Sequence, residues 1–285
     1  GTTTKAAAAG VANFSGQGLN INLVGTDKVL RGTKQNLSGS GGTASVSVDS
    51  SAFTITHAAA SQVVFTTQPS ASTVAGVAFA TQPVVEIRDS FGNAVTTGAD
   101  ATAVITLTLQ SGTGTLGGTT TKTAAAGVAS FSGQGLNINL VGTDKVLRAT
   151  KENLSGSGGT ASVSVDSPAF TITHAPASKV VFTTQPSAST VAGVAFATQP
   201  VVEIRDSLGN VVTTGADATS AITLALQAGS GTLGGTTTKT AVAGVASFSG
   251  QGLNINLVGA DKVLRATKPD TSGSGGTASV SADSS

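Results

Sequence analysis

The chain has 285 residues, of which only 10% are charged, with Lys+Arg 15 against Asp+Glu 14 and a net charge of +1. Soluble domains ordinarily carry about 25% charged residues, and the even balance excludes the clustered basic surface that nucleic acid or an anionic membrane attracts. With no Cys, Met, Tyr or Trp and two His, there is no disulfide, thiolate metal site or cysteine nucleophile, and catalytic side chains are scarce.

From its first residue the chain copies itself. Gly1-Thr2-Thr3-Thr4-Lys5 returns at Gly118 to Lys122 and at Gly235 to Lys239, a period of 117 residues. Residues 52–168 align with 169–285 without insertion and with 16 exchanges, and residues 1–51 differ from 118–168 at five positions. A unit of that length has room for its own core. The sequence therefore predicts three successive units: residues 1–57 as the C-terminal half of a domain, 58–174 as a complete one, and 175–285 as one lacking its last strand. The chain opens with neither Met nor a signal peptide, and both ends fall inside the repeat, which reads as a stretch cut or processed from a longer array. No apolar run approaches the roughly 20 residues of a membrane span.

Within the complete unit, period-2 alternation marks short half-buried strands in order. They are centred on Val63 with Phe65, Val85 with Ile87, Ile105-Leu107-Leu109, Val128 with Phe131, Leu136-Ile138-Leu140, Val163 with Val165, and Phe170 with Ile172. Turn signals separate them at Gln68-Pro69-Ser70, Asp89 to Asn93, Gly112 to Gly118, Gly133 to Gly135 and Ser155 to Gly159. Ala124-Ala125-Ala126 before Gly127 reads as a hairpin connection, and helical periodicity is absent. Seven or eight short strands in roughly a hundred residues predict an all-β fold of tandem immunoglobulin-like β-sandwiches. The expected core is Phe65, Val85, Ile87, Ile105, Leu107, Phe131, Ile138 and Phe170.

The order Val63-Val64-Phe65-Thr66-Thr67-Gln68-Pro69, Ala75-Gly76-Val77, Val84 to Asn93, Gly114 to Thr119, Gly127 to Phe131 and Ser167 to Thr173 resembles tandem immunoglobulin-like repeats of large bacterial and archaeal cell-surface proteins. It is more distantly similar to the modules of invasin and intimin, which share an Asp-x-x-Gly-Asn turn followed by a Gly-x-Ala strand. Where family members often carry Gly-Tyr-Thr-Leu, this chain reads Asp144-Lys145-Val146-Leu147, so no tyrosine corner is available. The resemblance implies a secreted, surface-anchored or filamentous protein. A chain poor in oxidisable side chains and without an Asn-Gly pair suits long residence outside a cell.

Several groups carry candidate chemistry. Asp89 and Asn93, with their copies Asp206 and Asn210, offer the oxygens that Ca²⁺ takes; a hairpin turn capped by the Asp is the stronger reading of the same residues. Glu86 with Arg88, and Glu203 with Arg205, share a strand face and suit outward ion pairs rather than acid–base chemistry. His57 and His174 follow equivalent strands and are expected at inter-unit contacts. Lys122 with Asn137 and Glu86 holds the residue types of an isopeptide bond, against a solvated lysine. Thr106, Thr108 and Thr119 to Thr121 would face a flat surface suited to ice or glycan, although Thr simply favours strands. Asn13, Asn36 and Asn153 stand in Asn-x-Ser glycosylation patterns. The glycine-rich stretches lack the helix and Lys of a phosphate cradle.

The expected function is a non-catalytic structural repeat of an extracellular filament, fibre or stalk, self-associating with identical subunits, in the sharpest version by sharing strands. The alternative is an adhesin module binding glycan, host protein or another surface, but sugar-binding faces usually use Trp or Tyr. No enzyme activity, no cofactor other than Ca²⁺ and no nucleic-acid partner is expected.

Overall fold

The structure is a computed structural model and describes residues 1–35, 44–153, 161–269 and 279–285. The expected turn at Ser155 to Gly159 and the candidate Asn36 lie outside the described residues. Among the described residues the regular structure is β-strand apart from short 3₁₀ turns, and no helix is long and apolar enough to cross a membrane.

In the second copy of the repeat, Val84–Asp89 lies between Ala60–Thr67 and Val128–Ser130 in one antiparallel sheet. A second sheet runs Thr121–Thr123, Val104–Ser111, Gly142–Lys151. The far edge of Gly142–Lys151 is shared, with Phe170–Thr173 on its first part and Val163–Asp166 on its last. Ser72–Val74 closes the sheet by pairing in parallel with Phe170–Thr173. A small ribbon joins Leu116–Gly117 to Asn137–Ile138.

Alternation drives the packing. Along Val84–Asp89 every second side chain, Val85, Ile87 and Asp89, is buried. Val85, Ile87 and Ala129 meet Ile105, Leu107, Leu147, Ala149, Phe170 and Ile172 from the other sheet in one apolar cluster. The architecture is sandwich-like, with the core between two sheets. Of the expected core residues only Phe65 departs, being half-buried at the cluster's margin. Each fully buried Ile, Leu or Phe contributes on the order of 1.5–3 kcal/mol.

The alanine hairpin forms as expected. Ala125 and Val128 exchange backbone hydrogen bonds of 2.9 and 3.0 Å around Ala126 and Gly127, both at positive φ, the geometry of a tight primed turn. Gly127 is required there for a second reason: a Cβ would sit 2.3 Å from the Val95 carbonyl oxygen.

Elements recur in the third copy. Lys179–Thr184, Val201–Arg205 and Val245–Ser247 form one sheet, and Thr238–Thr240, Ala221–Ala228, Val263–Lys268 and Val280–Asp283 the other, around a separate apolar cluster. Two features were not expected: single 3₁₀ turns at Ala99–Thr102 and Ala216–Thr219, each burying an Asp.

The first copy, read from sequence as the C-terminal half of a domain, contributes no residue to either apolar cluster. Gly25–Lys28 pairs with Phe53–Ile55 and Arg31–Lys34 with Val46–Asp49, yet Leu19 and Leu30 are 45% and 49% exposed where their counterparts Leu136 and Leu147 are fully buried. The reason is geometric. The sheet that covers these positions in the second copy, Ala60–Thr67 with Val84–Asp89, has no counterpart within residues 1–57.

Candidate functional site at the junctions between copies

The Asp-x-x-Gly-Asn turn, read from sequence as either a calcium ligand set or a capped hairpin, forms a junction. Asp89 Oδ1 accepts from the amides of Phe91 and Asn93, each at 2.9 Å. Its Oδ2 accepts from Asn93 Nδ2 and from the amide of Ala58, the residue entering this copy, again at 2.9 Å. Asn93, thus aligned, reaches across to the first copy. Its Nδ2 donates to the Asn22 carbonyl at 2.8 Å, and its Oδ1 accepts from the Val24 amide at 3.2 Å.

The next junction repeats the arrangement. Asp206 accepts from Asn210 N, Asn210 Nδ2 and Ala175 N at 2.8, 2.9 and 3.1 Å, and Asn210 clasps the Asn139 carbonyl and the Val141 amide at 3.0 and 3.1 Å. Asn93 and Asn210 are 7% and 5% exposed, so these contacts form out of water, where leaving an amide unpaired is costly. Leu208, between Asp206 and Asn210, packs on Gly76, where a Cβ would come within 2.8 Å of the leucine Cδ1. Its counterpart Phe91 is 62% exposed.

Burial of the Asp89 carboxylate raises its pKa, but the hydrogen bonds from the Asn93 side chain and the Ala58, Asn93 and Phe91 amides more than offset this and hold it at about 2. The same competition lowers Asp206. A carboxylate whose oxygens each accept two N–H donors has little left for a cation.

His57 and His174 sit beside these turns, at the contacts expected of them. His57 Nε2 meets the Thr97 hydroxyl at 2.9 Å and accepts from the Thr97 amide at 3.3 Å, while Nδ1 lies 2.8 Å from the Ala58 carbonyl. An Nε2 that accepts an amide proton assigns the ring hydrogen to Nδ1. His174 repeats the pattern with Thr214 and Ala175. The chain entering each copy is pinned by the Asp and the His together.

The remaining candidates are dispersed. Glu86 pairs with Arg88 at 2.5 Å, and Glu203 with Arg205 at 2.7 Å, as expected of outward pairs. Lys122 lies opposite Ile105 on an edge strand, and Asn137 Nδ2 donates to the Gly135 carbonyl, so no contact joins Lys122, Asn137 and Glu86. Thr121 faces Thr106 across the edge pair. Asn13 accepts from the Ser15 amide at 2.8 Å, and Asn153 is exposed with φ 54°.

Buried lysines are what sequence reasoning missed. Lys151, 1% exposed, pairs with Asp100 at 2.7 Å, and Lys268 with Asp217 at 2.5 Å. Lys145 is fully buried and donates to the Thr113 carbonyl at 2.5 Å. The signal was present: Lys145 and Lys151 continue the inward phase of Leu147 and Ala149. Among the described residues no group of three or more His, Asp or Glu is placed to hold a metal ion. No protein-family model and no curated protein sequence matches the chain.

Proposed function

We propose that the chain is a non-catalytic structural segment of an extracellular rod, stalk or filament made of tandem immunoglobulin-like β-sandwiches with a period of 117 residues, bounded at 57/58 and 174/175. One observation carries the reading: the two junctions are fastened by the same hydrogen bonds between equivalent residues, Asn93 to Asn22 and Asn210 to Asn139. Flexible linkers do not need buried clasps, whereas a load-bearing rod does, and repeated units with identical interfaces produce uniform pitch. The Asp, Asn and His side chains of the junctions are engaged in these structural contacts, which fits a scaffold better than a reaction centre.

Electron microscopy and small-angle scattering of the purified chain test this. The expected result is an extended particle with a single angle between the second and third copies. A broad distribution of angles in the unaltered chain would overturn it.

A further inference from the structure

Among the described residues every strand pairing is antiparallel except one, that of Phe170–Thr173 with Ser72–Val74. Thr171 stands opposite Ser72, Ile172 opposite Thr73 and Thr173 opposite Val74. The Thr171 amide donates to the Ala71 carbonyl at 3.0 Å, the Ala75 amide to the Thr173 carbonyl at 2.8 Å, and the Thr173 hydroxyl to the Thr73 carbonyl at 3.4 Å. Phe170 and Ile172 are 3% and 2% exposed, and the Phe170 ring meets Phe79 edge-on with centroids 5.5 Å apart, a favourable aromatic geometry. On its other flank the strand is held by Gly142–Lys151.

This pair lies between the points where the chain enters and leaves the second copy. The entering strand Ala60–Thr67 begins opposite Asp89, whose turn clasps the first copy through Asn93. The chain then turns at Gln68-Pro69-Ser70 and crosses to the second sheet as Ser72–Val74, which ends beside Gly76, the seat of Leu208 from the third copy. Phe170–Thr173 runs the same way, and the residues after it, His174 and Ala175, are bonded to Thr214 and Asp206 of the third copy. Tension along the array therefore pulls Ser72–Val74 back toward the first copy and Phe170–Thr173 forward toward the third. The two strands are loaded in opposite directions along one axis.

That direction matters because the evenly spaced hydrogen bonds of a parallel pair run across the strands. A peeling load reaches them one at a time, whereas a sliding load is shared by all of them, and sliding also draws Phe170 and Ile172 out of the core. We propose that the pairing of Ser72–Val74 with Phe170–Thr173 is a mechanical latch, the element that sets the force at which the second copy yields under tension. The inference deepens the rod reading and rests on it for its role, since only a chain pulled along its length loads the pair this way. Forced unfolding is governed by the barrier to unfolding and not by equilibrium stability, so the latch supplies a resistance that melting does not report.

The test is single-molecule force spectroscopy on the whole 285-residue chain. The chain has no cysteine, so pairs of introduced cysteines define where the load acts. Handles at Ala59→Cys and Pro176→Cys reproduce the load of the array, while handles at Val77→Cys and Pro176→Cys pull the same two strands apart from one end. All three positions are exposed. In the first arm a single rupture is expected, releasing on the order of 400 Å of chain. Its force should be roughly twofold or more above that of the first rupture in the second arm. A further variant, Ala75→Pro, removes the amide that donates to Thr173. Ala75 lies in a turn closed by the Val77 amide on the Val74 carbonyl at 3.0 Å, with Gly76 at φ 75°, a place where type II turns accept Pro, so its circular dichroism should match the parent's. The variant should lower the force of the first arm and bring down the ratio between the arms. Equal forces in the two arms, or gradual lengthening in the first, overturn the latch. An unchanged force in Ala75→Pro overturns this pair as its site and assigns the resistance to Ala60–Thr67 against Val84–Asp89. None of these outcomes bears on the inter-copy angle seen by microscopy, so failure here is distinguishable from failure of the rod reading.

Discussion

Asn210 donates to the carbonyl of Asn139, 71 positions earlier, and Asn93 does the same to Asn22 at the same separation. Because each Asn is aligned by an Asp four residues before it, the turn transmits the entry point of one copy directly to the preceding one. The hinge is thereby converted into a hydrogen-bonded contact.

Replacing Asn210 by Ala removes its bonds to Asn139, Val141 and Asp206 and takes the Asn210 partner from a half-buried carbonyl and amide. The expected loss is about 1–3 kcal/mol from the third copy and its junction. Spin labels on the second and third copies should show the distance distribution between them broaden. An unchanged distribution would mean that Leu208 against Gly76 holds the angle alone.

The Asp89 carboxylate makes stability depend on pH in a defined window. Its folded pKa of about 2 lies below the ordinary value of 3.8, so the unfolded chain takes up the proton first as pH falls. Its contribution is fully present above pH about 4 and is lost as pH drops through about 2. Asp89→Asn cannot accept on both sides, because its new amide group faces the Ala58 amide and Asn93 Nδ2. Calorimetry at a series of pH values should find the variant less stable at pH 7 and the gap to the parent closing between pH 4 and 2.

Much of this was legible in the chain. Period-2 alternation placed Ile105, Leu107, Ile138 and Phe170 in the core, and Ala126-Gly127 at a hairpin, because short strands and tight turns are decided by neighbouring residues. The Asp-x-x-Gly-Asn turn was legible as a turn but not as a clasp. The groups its Asn binds, the Asn22 carbonyl and the Val24 amide, are main-chain atoms that any residue carries, so no side-chain pattern announces them. The exposure of Leu19 and Leu30 in the first copy, whose counterparts Leu136 and Leu147 are fully buried in the second, depends on which strands lie against them. Alternation within a strand does not report that.

Calcium offers a simple discrimination at the same turn. Since each oxygen of Asp89 already accepts two N–H donors, adding millimolar Ca²⁺ or EDTA should leave the melting temperature unchanged. A rise of several degrees with Ca²⁺ would show that the cation displaces those donors and restiffens the junction through metal coordination.

The buried pair of Lys151 and Asp100, at 2.7 Å and with side chains 1% and 7% exposed, sets a sharper test of the core. Removing one partner strands the other charge away from water, so Asp100→Leu should cost about 3–5 kcal/mol. Removing both in Lys151→Met/Asp100→Leu eliminates the two desolvation costs together, and most of the loss should return. Strand Gly142–Lys151 places Lys151 in the same inward row as Leu147 and Ala149, where an unbranched apolar side chain continues the packing. Denaturant unfolding followed by far-ultraviolet circular dichroism measures both variants, a necessary choice in a chain with neither Trp nor Tyr. If the double variant falls as far as the single one, the pair fixes the 3₁₀ turn Ala99–Thr102 by direction and not by charge balance alone. The turn is anchored there because the 3₁₀ segment and the Gly127 hairpin bond each other through the Gly127 amide and the Ala101 carbonyl at 2.8 Å. Loss of the lysine would then propagate to the first sheet through Gly127, whose carbonyl accepts from Ile87 at 2.8 Å.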